Sequence, residues 1–189
     1  MSQPLSPSLP GDIQIRRAVR DDCAGILAIY NEAVLRTTAS YDEQPRTLGH
    51  RLEWFDAHER DGYPVWVAVT GAGEVVGWSA LNRFHDRVGY RFTCENSIYI
   101  AEPWRGRGLG ALLLQPLIRS AEERGLHAIL AVIDAENVAS IRLHQRHGFT
   151  QVGHFKEVGF KFGRWLDVVY LQRLIPFPGA ARAPRRPDA

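Results

Sequence analysis

The sequence predicts one α/β domain in which short strands and about four helices alternate along the chain. Three observations favour this fold class. The chain has 189 residues, of which 45% are hydrophobic and 23% charged, and this size and composition are typical of one globular domain with its own core. Short apolar runs rich in β-branched residues alternate with segments of helical periodicity. A glycine-rich turn joins one such run to one such segment.

The first part of the folded region is predicted to contain a strand, two helices and a hairpin. Residues 13–16 alternate like a short strand, and Asp21 or Asp22 can cap the first helix. Thr47 can cap a second, more polar helix that ends near Gly62. The predicted hairpin has its strands at 65–69 and 75–80 and its turn at 70–73.

The second part is predicted to add four strands and two helices. The helix that follows the glycine-rich turn runs to Arg124 and is stopped by Gly125. Pro116 lies inside this helix and removes one of its hydrogen bonds, which can cost ~3 kcal/mol unless the helix bends, so a kink is predicted there. The other predicted elements are strands at 93–100, 128–133, 149–156 and 166–174 and a helix at 138–147.

Composition and charge restrict where the protein works and what it binds. Segments 1–12 and 176–189 are rich in Pro, Ser, Ala and Arg and are predicted to be flexible tails around a single domain at 13–175. The formal net charge of +2 gives no reason to expect a nucleic-acid partner. No apolar run approaches the ~18 to 20 residues of a membrane span, and the first residues lack the features of a signal peptide, so a cytoplasmic protein without a membrane partner is predicted. Cys23 and Cys94 form no metal-ligand pattern with the histidines, so no metal is predicted.

The glycine-rich turn predicts a binding site for a pyrophosphate. Three glycines at alternate positions let the backbone turn sharply and bring its N–H groups to an anion at the positive end of a helix, and two arginines add charge. No Lys-Ser or Lys-Thr pair follows, which excludes the ATP-type P-loop, and the glycine spacing differs from the G-x-G-x-x-G of the Rossmann fingerprint. The turn consists of Arg105, Gly106, Arg107, Gly108, Leu109 and Gly110.

The turn and the order of the elements resemble those of the GNAT superfamily of N-acetyltransferases, whose acetyl-CoA loop has the pattern R-x-x-G-x-G after a strand. This resemblance covers nearly the whole folded part. It implies the GNAT acyl-CoA N-acyltransferase fold, with a central mixed, mostly antiparallel, twisted sheet flanked by the helices. It also implies that acetyl-CoA is the co-substrate.

Three further segments resemble the phosphinothricin and methionine sulfone/sulfoximine N-acetyltransferases more closely. Segment 87–100 contains T-x-E-x-S-x-Y just before the glycine-rich turn. The other two are 137–149 and 160–167, and the last contains F-K-x-G-x-W-x-D. Members of this group acetylate the α-amino group of small amino-acid analogues. The resemblance therefore implies this activity, by direct transfer within a ternary complex, and a homodimer.

Two residues are predicted to take part in the chemistry. An ammonium group is not a nucleophile until it loses a proton, and Glu95 is the predicted base. The ordinary pKa of glutamate is ~4.3, so burial must raise it for this role; the alternative is an exposed carboxylate in a salt bridge. His144 stands where many relatives have a tyrosine that protonates the departing thiolate, and it is either the general acid or a side chain that packs beside the cofactor. Cys94 points to the other face of the strand and is predicted to be a core residue.

The resemblance also implies where the cofactor lies. It places the pantetheine arm along the backbone of Ile98, Tyr99 and Ile100, where an N–H group can stabilise the charge that develops on the thioester oxygen. The pyrophosphate is assigned to the turn at 105–110. Asn137, at the start of the next helix, is expected to hydrogen-bond the pantetheine, to cap the helix, or to do both.

The acceptor amino acid is predicted to lie beside the same strand. Arg87 is the predicted clamp for its carboxylate, because a guanidinium can form two parallel hydrogen bonds; a solvated arginine is the alternative. Thr38 and Trp165 can line the pocket or serve only in packing. The full predicted substrate set is His85, Asp86, Arg87, Tyr90, Glu95, Asn96, Ser97, Thr38 and Trp165.

Two other functions stay open at this point. The same fold can act on a different amine, such as a polyamine, an aminoglycoside or a protein N-terminus, although the cluster of Arg83, Arg87 and Arg91 disfavours a polycation. A non-catalytic acyl-CoA sensor would keep the glycine-rich turn without turnover. Binding of acetyl-CoA without release of CoA across a broad panel of amines would favour the sensor.

Overall fold

The computed structural model describes residues 13–176 of the chain. The two predicted tails lie outside the described residues, apart from Pro176. Eleven helices and strands of four or more residues follow one another in the described part. They are β1 (Gln14–Arg17), α1 (Cys23–Arg36), α2 (Leu48–Asp61), β2 (Val65–Val69), β3 (Val75–Arg83), β4 (Thr93–Ile100), α3 (Leu109–Glu123), β5 (Ala128–Asp134), α4 (Val138–Arg146), β6 (Thr150–Lys161) and β7 (Arg164–Leu174).

The strands form one seven-stranded sheet in the order β1-β2-β3-β4-β5-β7-β6. Only β4 and β5 are parallel to each other, so the predicted mixed and mostly antiparallel sheet is confirmed. The pairing of β4 with β5 covers only Thr93–Glu95 against Ala128–Leu130. The rest of β4 stays paired with β3 but not with β5. One edge of β4 is therefore open between Asn96 and Ile100, in the middle of the sheet.

Three hydrophobic clusters hold the helices against the sheet, and two of them contain most of the buried residues. In the larger one, Leu114 and Leu117 of α3 pack with Ile129 of β5 and with residues of β7. In the other, Ile26 of α1 and Phe55 of α2 pack on β2 and β3. Apolar positions at helical spacing thus meet the apolar runs of the strands, as their periodicity predicted. The pair α3 and α4 and the pair α1 and α2 belong to these separate cores, and the open edge of β4 lies between them.

The helix ends agree with the predictions except at α1. The hydroxyl of Thr47 accepts the N–H of His50, and Gly62 ends α2 with a φ of +71°. Asp22 does not cap α1. Its carboxylate accepts hydrogen bonds from Arg16 at 2.6 and 2.8 Å and from the N–H of Val19 at 2.7 Å, because a short 3-10 helix at Arg20–Asp22 turns it back toward β1.

The last hairpin differs most from its prediction. The predicted strands at 149–156 and 166–174 extend to Lys161 and Arg164, so the hairpin is much longer than expected. Phe162 and Gly163 form its two-residue turn with φ values of +52° and +74°. The added part of β6 does alternate, with Val158 and Phe160 between Glu157, Gly159 and Lys161, but phenylalanine is not a usual residue at such a turn. The turn therefore lacks the usual hairpin signal, and the predicted strands end short of it.

The helix after the glycine-rich turn runs without interruption from Leu109 to Glu123 and includes the buried Pro116. The hydroxyl of Ser79 on β3 donates a hydrogen bond of 3.0 Å to the carbonyl of Leu113 in the turn before the proline. The predicted kink stays a prediction. Gly125 follows the helix with a φ of +65°, which agrees with its predicted role as the stop.

Candidate active site

A cavity of about 280 Å³ opens where β4 and β5 separate. Three walls surround it: the unpaired part of β4 with the end of β5, the start of α4, and the loop that follows α1. Polar and apolar groups both contribute to the lining. The lining residues include Thr38, Ala39, Ser40, Tyr41, Glu95, Asn96, Ser97, Ile98, Tyr99, Ile133, Asp134, Asn137, Ser140 and His144.

Glu95 is the half-buried carboxylate of this cavity. Burial raises the pKa of its side chain above the ordinary value. Among the described residues, none forms a salt bridge or hydrogen bond with this carboxylate, so the salt-bridge alternative finds no support. Cys94, on the other face of the strand, is fully buried in the larger core as predicted, and burial raises the pKa of its thiol to about 12.

A hydrogen-bond network behind β4 holds the strand next to Glu95. The side-chain amide of Asn82 on β3 donates to the hydroxyl of Ser97 at 3.0 Å, and it lies 3.4 Å from the carbonyl of Glu95. The side-chain oxygen of Asn82 lies 3.2 Å from Nε2 of His58, a histidine of α2. No sequence pattern indicated this network, because its members come from three different elements.

His144 is buried and forms hydrogen bonds through both of its ring nitrogens. Nδ1 lies 2.8 Å from the carbonyl oxygen of Ser140, which can only accept, so Nδ1 carries a proton. Burial lowers the pKa of His144 and favours the neutral ring, in which Nε2 then accepts from the side-chain amide of Asn96 at 2.8 Å. The amide oxygen of Asn96 is buried without a partner in the described structure, and Asn96 lines the cavity.

The glycine-rich turn forms an exposed concave loop before α3. Gly106 and Gly108 have φ values of +74° and +87°, which other residues rarely adopt. Gly110 has a different reason to be glycine, since a Cβ there would lie 2.9 Å from the side chain of Leu143 on α4. No side chain caps α3, and in its first turn the N–H of Ala111 donates to the carbonyl of Gly108 at 3.1 Å. The N–H groups of Leu109 and Gly110 have no acceptor among the described hydrogen bonds. The loop fits an anionic group such as a pyrophosphate.

A sequence model of the acetyltransferase (GNAT) family matches residues 26–149, about two thirds of the chain. The chain belongs to the GNAT family. It is 49% identical to an L-methionine sulfoximine/L-methionine sulfone acetyltransferase of Pseudomonas paraeruginosa, over 84% of this chain and 92% of the relative.

Solved structures show the same fold. An acetyltransferase of Salmonella typhimurium, determined with its cofactor acetyl-CoA, superimposes with a TM-score of 0.86 at 40% identity over 90% of this chain and 98% of the other. A GNAT phosphinothricin acetyltransferase of Sinorhizobium meliloti in complex with acetyl-CoA gives a TM-score of 0.84 at 37% identity over 86% of this chain and 88% of the other. As a GNAT enzyme, the chain is an acetyl-CoA-dependent N-acetyltransferase, as its sequence predicted.

The two arginines of this GNAT loop lie in different environments. Arg105 donates to the carbonyl of Ile100 at 2.9 Å and to the carboxylate of Glu32 at 2.7 Å, so its side chain fastens the base of the loop to β4 and α1. Arg107 is exposed and lies over the ring of Trp104, 5.3 Å from its centroid. Arg107 is thus the arginine whose charge stays available to an anion at the loop.

Asn137 caps α4, which is one of the two roles predicted for it. Its side-chain oxygen accepts the N–H of Ser140 at 3.1 Å. The side chain also lines the cavity, and the cap uses only its oxygen. The amide N–H groups of Asn137 therefore remain for a second hydrogen bond.

The predicted acceptor residues separate into two groups. Thr38, Asn96 and Ser97 line the cavity together with Glu95. The others do not reach its wall. His85, Asp86, Arg87 and Tyr90 lie on the exposed loop between β3 and β4, and Trp165 lies at the exposed end of β7, with its ring 5.1 Å from that of Phe160.

Sequence reasoning missed several wall residues, among them the hydrogen-bonded pair Tyr41 and Asp134. The hydroxyl of Tyr41 donates to the buried carboxylate of Asp134 at 3.4 Å, and desolvation together with this carboxylate raises the pKa of Tyr41 to about 12. The ring of Tyr41 packs on Gly159, where an added Cβ would lie only 2.3 Å from a ring carbon. Tyr41 belongs to a loop without periodicity, and its partners are far away in the sequence, so no pattern pointed to it.

Two features are absent from the described residues. Within residues 13–176, no helix is long and apolar enough to cross a membrane. The same residues contain no group of three or more histidine, cysteine, aspartate or glutamate side chains that could hold a metal ion.

Proposed function

We propose that this chain transfers the acetyl group of acetyl-CoA to the α-amino group of a small amino-acid analogue of the methionine sulfone, methionine sulfoximine or phosphinothricin type. The observation that carries the proposal is the half-buried, unpartnered carboxylate of Glu95 in the cavity beside the open edge of β4. The names of the Pseudomonas and Sinorhizobium relatives support this acceptor class.

The size of the cavity favours a small acceptor over a large one. Its volume of about 280 Å³ lies just below the range for ligand pockets, ~300 to 1,000 Å³. A polyamine, an aminoglycoside or a protein N-terminus would extend beyond it. The exposed side chains of Arg83, Arg87 and Arg91, at the end of β3 and on the loop after it, disfavour the first two, since both are polycations.

In the proposed reaction Glu95 takes a proton from the acceptor amine. Burial favours its protonated form, so the carboxylate is a better proton acceptor than an exposed glutamate. The amine then attacks the carbonyl carbon of the acetyl thioester, so that a C–N bond forms and the C–S bond breaks. CoA leaves as a thiolate, and the second proton of the amine passes to it through solvent. The open edge of β4 leaves backbone groups between Asn96 and Ile100 without a strand partner on that side, and we place the pantetheine arm along Ile98, Tyr99 and Ile100 for this reason.

We place the pyrophosphate at the loop of residues 105–110, where Gly106 and Gly108 allow the backbone to approach it and Arg107 adds charge. Arg105 contributes by holding this loop in shape rather than by direct contact. The unused amide N–H groups of Asn137 are proposed to bind the pantetheine.

For His144 the hydrogen bonds favour the second of its two predicted roles. The single proton of the neutral ring is held by the carbonyl of Ser140, and Nε2 accepts from Asn96. A general acid would need a proton on a ring nitrogen that faces the departing sulfur atom. The only ring proton is on Nδ1 and is bonded to the carbonyl of Ser140. We therefore propose that His144 packs beside the cofactor and orients Asn96, whose unpartnered oxygen is available to a ligand N–H group.

The reaction is tested by identifying its product. Purified protein is incubated with acetyl-CoA and L-methionine sulfone, and the mixture is analysed by mass spectrometry before and after treatment with an amine-selective reagent. We expect an N-acetylated product that the reagent no longer modifies, together with an equal amount of CoA. Slow hydrolysis of acetyl-CoA without an acetylated amino acid would refute the proposal.

We propose that Arg87, which is exposed on the loop between β3 and β4 and does not line the cavity, binds the acceptor carboxylate. We expect Arg87→Ala to raise KM for the amino acid by about tenfold and to leave KM for acetyl-CoA unchanged. A factor of about ten corresponds to the free energy of one charge-assisted hydrogen bond. Steady-state kinetics with each substrate varied in turn measures both constants. The control is Arg119→Ala on the exposed side of α3. If Arg87→Ala leaves both constants at their original values, the carboxylate binds elsewhere.

A homodimer is proposed because the last hairpin exposes an apolar surface. Phe155, Val158, Phe160, Phe162 and Trp165 are each at least 51% exposed, and all lie on this hairpin. A cluster of this kind marks an interaction site, and a second copy is the partner that the family resemblance implies. Trp165 belongs to this surface rather than to the cavity wall.

We expect the protein to elute as a dimer in size-exclusion chromatography with light scattering, and Phe160→Asp to convert it to a monomer, because a charge at the centre of an apolar interface is desolvated. Val88→Asp is the matched control, since Val88 is 75% exposed but lies outside the hairpin. A monomeric wild-type protein, or an unchanged dimer in the Phe160 variant, would exclude this interface.

A cytoplasmic location is proposed as well. Cys23 and Cys94 are both buried free thiols rather than a disulfide, which is typical of proteins in a reducing compartment. The small net charge of +2 agrees with a small-molecule partner rather than a nucleic acid.

A further inference from the structure

Lys161 is a buried lysine at the end of β6, where the last hairpin turns. Its side chain is only 2% exposed. The ammonium group donates two hydrogen bonds, to the carbonyl of Thr37 at 2.8 Å and to the carbonyl of Ser40 at 2.5 Å. Both acceptors belong to the loop after α1, more than a hundred residues earlier in the chain. Lys161 thus joins two parts of the sequence that no other described hydrogen bond joins.

The burial of this cation needs a reason, because it costs free energy. Among the described residues, no carboxylate lies within ion-pair distance of Lys161, although Asp42 and Glu43 are near enough to favour its charge. Its described hydrogen-bond partners are the two carbonyls, and the ring of Phe162 lies 5.0 Å away. A buried lysine without an acidic partner is uncommon in proteins. Its bonds to the loop are the interactions that compensate for its desolvation.

The loop held by Lys161 forms one wall of the cavity. Residues 38–41 line the cavity directly. Two other contacts hold the loop from the side of β4 and α1: the hydroxyl of Tyr99 donates to the carbonyl of Ala39 at 3.1 Å, and the hydroxyls of Tyr30 and Ser40 lie 3.1 Å apart. Lys161 supplies the attachment on the opposite side. Its two acceptors are three residues apart, so one ammonium group fixes the curvature of the loop between them.

The last hairpin also contacts the side chain of Tyr41, the residue that follows the clamped part of the loop. The ring of Tyr41 packs on Gly159, two residues before Lys161. The same segment of β6 therefore fixes the backbone of the loop through Lys161 and the position of the Tyr41 ring through Gly159.

We infer that Lys161 is a positioning residue for the acceptor site, which it shapes by clamping the loop at 37–40 against the hairpin. This inference rests on the proposed function, in which the cavity receives the amino acid. Lys161 does not line the cavity, so it acts through the loop rather than through contact with the acceptor. The cofactor loop at 105–110 belongs to other elements and is independent of the clamp.

The first test measures the loop itself and needs no substrate. Hydrogen–deuterium exchange followed by mass spectrometry is recorded for peptides that cover residues 37–42 in the wild type, Lys161→Met and Lys156→Met. Methionine keeps the length of the side chain but removes the charge and both hydrogen bonds. We expect exchange in this segment to be about tenfold faster in Lys161→Met. Lys156, an exposed lysine of the same strand, is the matched control and is expected to have no effect.

The second test separates positioning from general destabilisation. We expect Lys161→Met to raise KM for the amino-acid acceptor about tenfold while KM for acetyl-CoA stays within about twofold. Lys161→Arg, which keeps the charge and the donors, is expected to restore most of the lost affinity. If Lys161→Met does not fold, Lys161→Gln takes its place in both tests, because its shorter side chain removes the charge and does not reach the position of Nζ between the two carbonyls.

The results that would overturn the Lys161 inference differ from the result that would refute the proposed function. Unchanged exchange at residues 37–42 in the Lys161 variant overturns the inference whatever the enzyme acts on. An equal rise of both Michaelis constants also overturns it, since this would indicate a general loss of structure. A wild-type protein without activity toward amino acids refutes the proposed function, and the exchange experiment still decides whether Lys161 clamps the loop.

Discussion

We expect Glu95→Gln to lower the turnover number by about 10²- to 10⁴-fold and to leave the affinity for acetyl-CoA nearly unchanged. Glutamine has almost the same shape as glutamate but cannot accept a proton from the amine. The carboxylate has no hydrogen-bond partner among the described residues, so its replacement breaks no contact of the fold. Steady-state kinetics gives the turnover number, and isothermal titration gives the dissociation constant of acetyl-CoA.

The control is Glu53→Gln, on the exposed face of α2, which removes the same charge outside the cavity. Full activity in the Glu95 variant would remove this residue from the mechanism. The pH dependence gives a second readout. Since burial raises the pKa of Glu95, the rate should fall as the pH is lowered through this raised value, because the protonated carboxyl group cannot act as a base. The Glu95 variant should lack this decrease.

The second large effect is expected at the cofactor loop. Gly108 has a φ of +87° directly before α3, a conformation that costs a residue with a side chain roughly 1 to 2 kcal/mol and a β-branched one more. Gly108→Val would also place methyl groups where the backbone has to approach the pyrophosphate. We expect the dissociation constant of acetyl-CoA to rise by about tenfold or more, since 1.4 kcal/mol corresponds to a factor of ten. Isothermal titration measures this constant.

Gly73→Val provides a matched control for backbone strain. Gly73 has a φ of +85°, with no atom within 4 Å of an added Cβ, and it lies in the turn between β2 and β3. Both variants should lose similar stability in thermal unfolding, but only Gly108→Val should weaken cofactor binding. Equal acetyl-CoA affinity in the two variants would contradict the assignment of the loop at residues 105–110.

Local sequence patterns were sufficient to predict most of the fold. Thr47 and Gly62 bound α2 as capping rules require, and β4 has its predicted limits of 93 and 100. The errors lie where tertiary contacts override local preference. The carboxylate of Asp22 accepts hydrogen bonds from Arg16 instead of capping α1. The last hairpin extends to Lys161 and turns at Phe162 and Gly163, where phenylalanine gives no local turn signal.

The sequence pointed to cavity-lining residues where they are close together in the chain. Glu95, Asn96 and Ser97 form one short segment of β4, and a motif could point to all of them. Tyr41, Asp134 and Lys161 come from three distant elements, and their spatial relation depends on how the hairpin packs on the loop after α1. The protonation of His144 likewise depends on contacts that no motif contains. A motif identified its position, but only the contacts with Ser140 and Asn96 show which nitrogen carries its proton.

The proposed acceptor class is tested most directly by comparing kcat/KM across amines, with CoA release followed by a thiol reagent. The panel contains phosphinothricin, methionine sulfone, methionine sulfoximine, common amino acids, spermidine, an aminoglycoside and a peptide with a free N-terminus. We expect the highest values for the first three compounds and a collapse of all three in Glu95→Gln. Turnover only with spermidine, the aminoglycoside or the peptide would contradict the proposed acceptor class, and acetyl-CoA binding without any release of CoA would indicate a sensor.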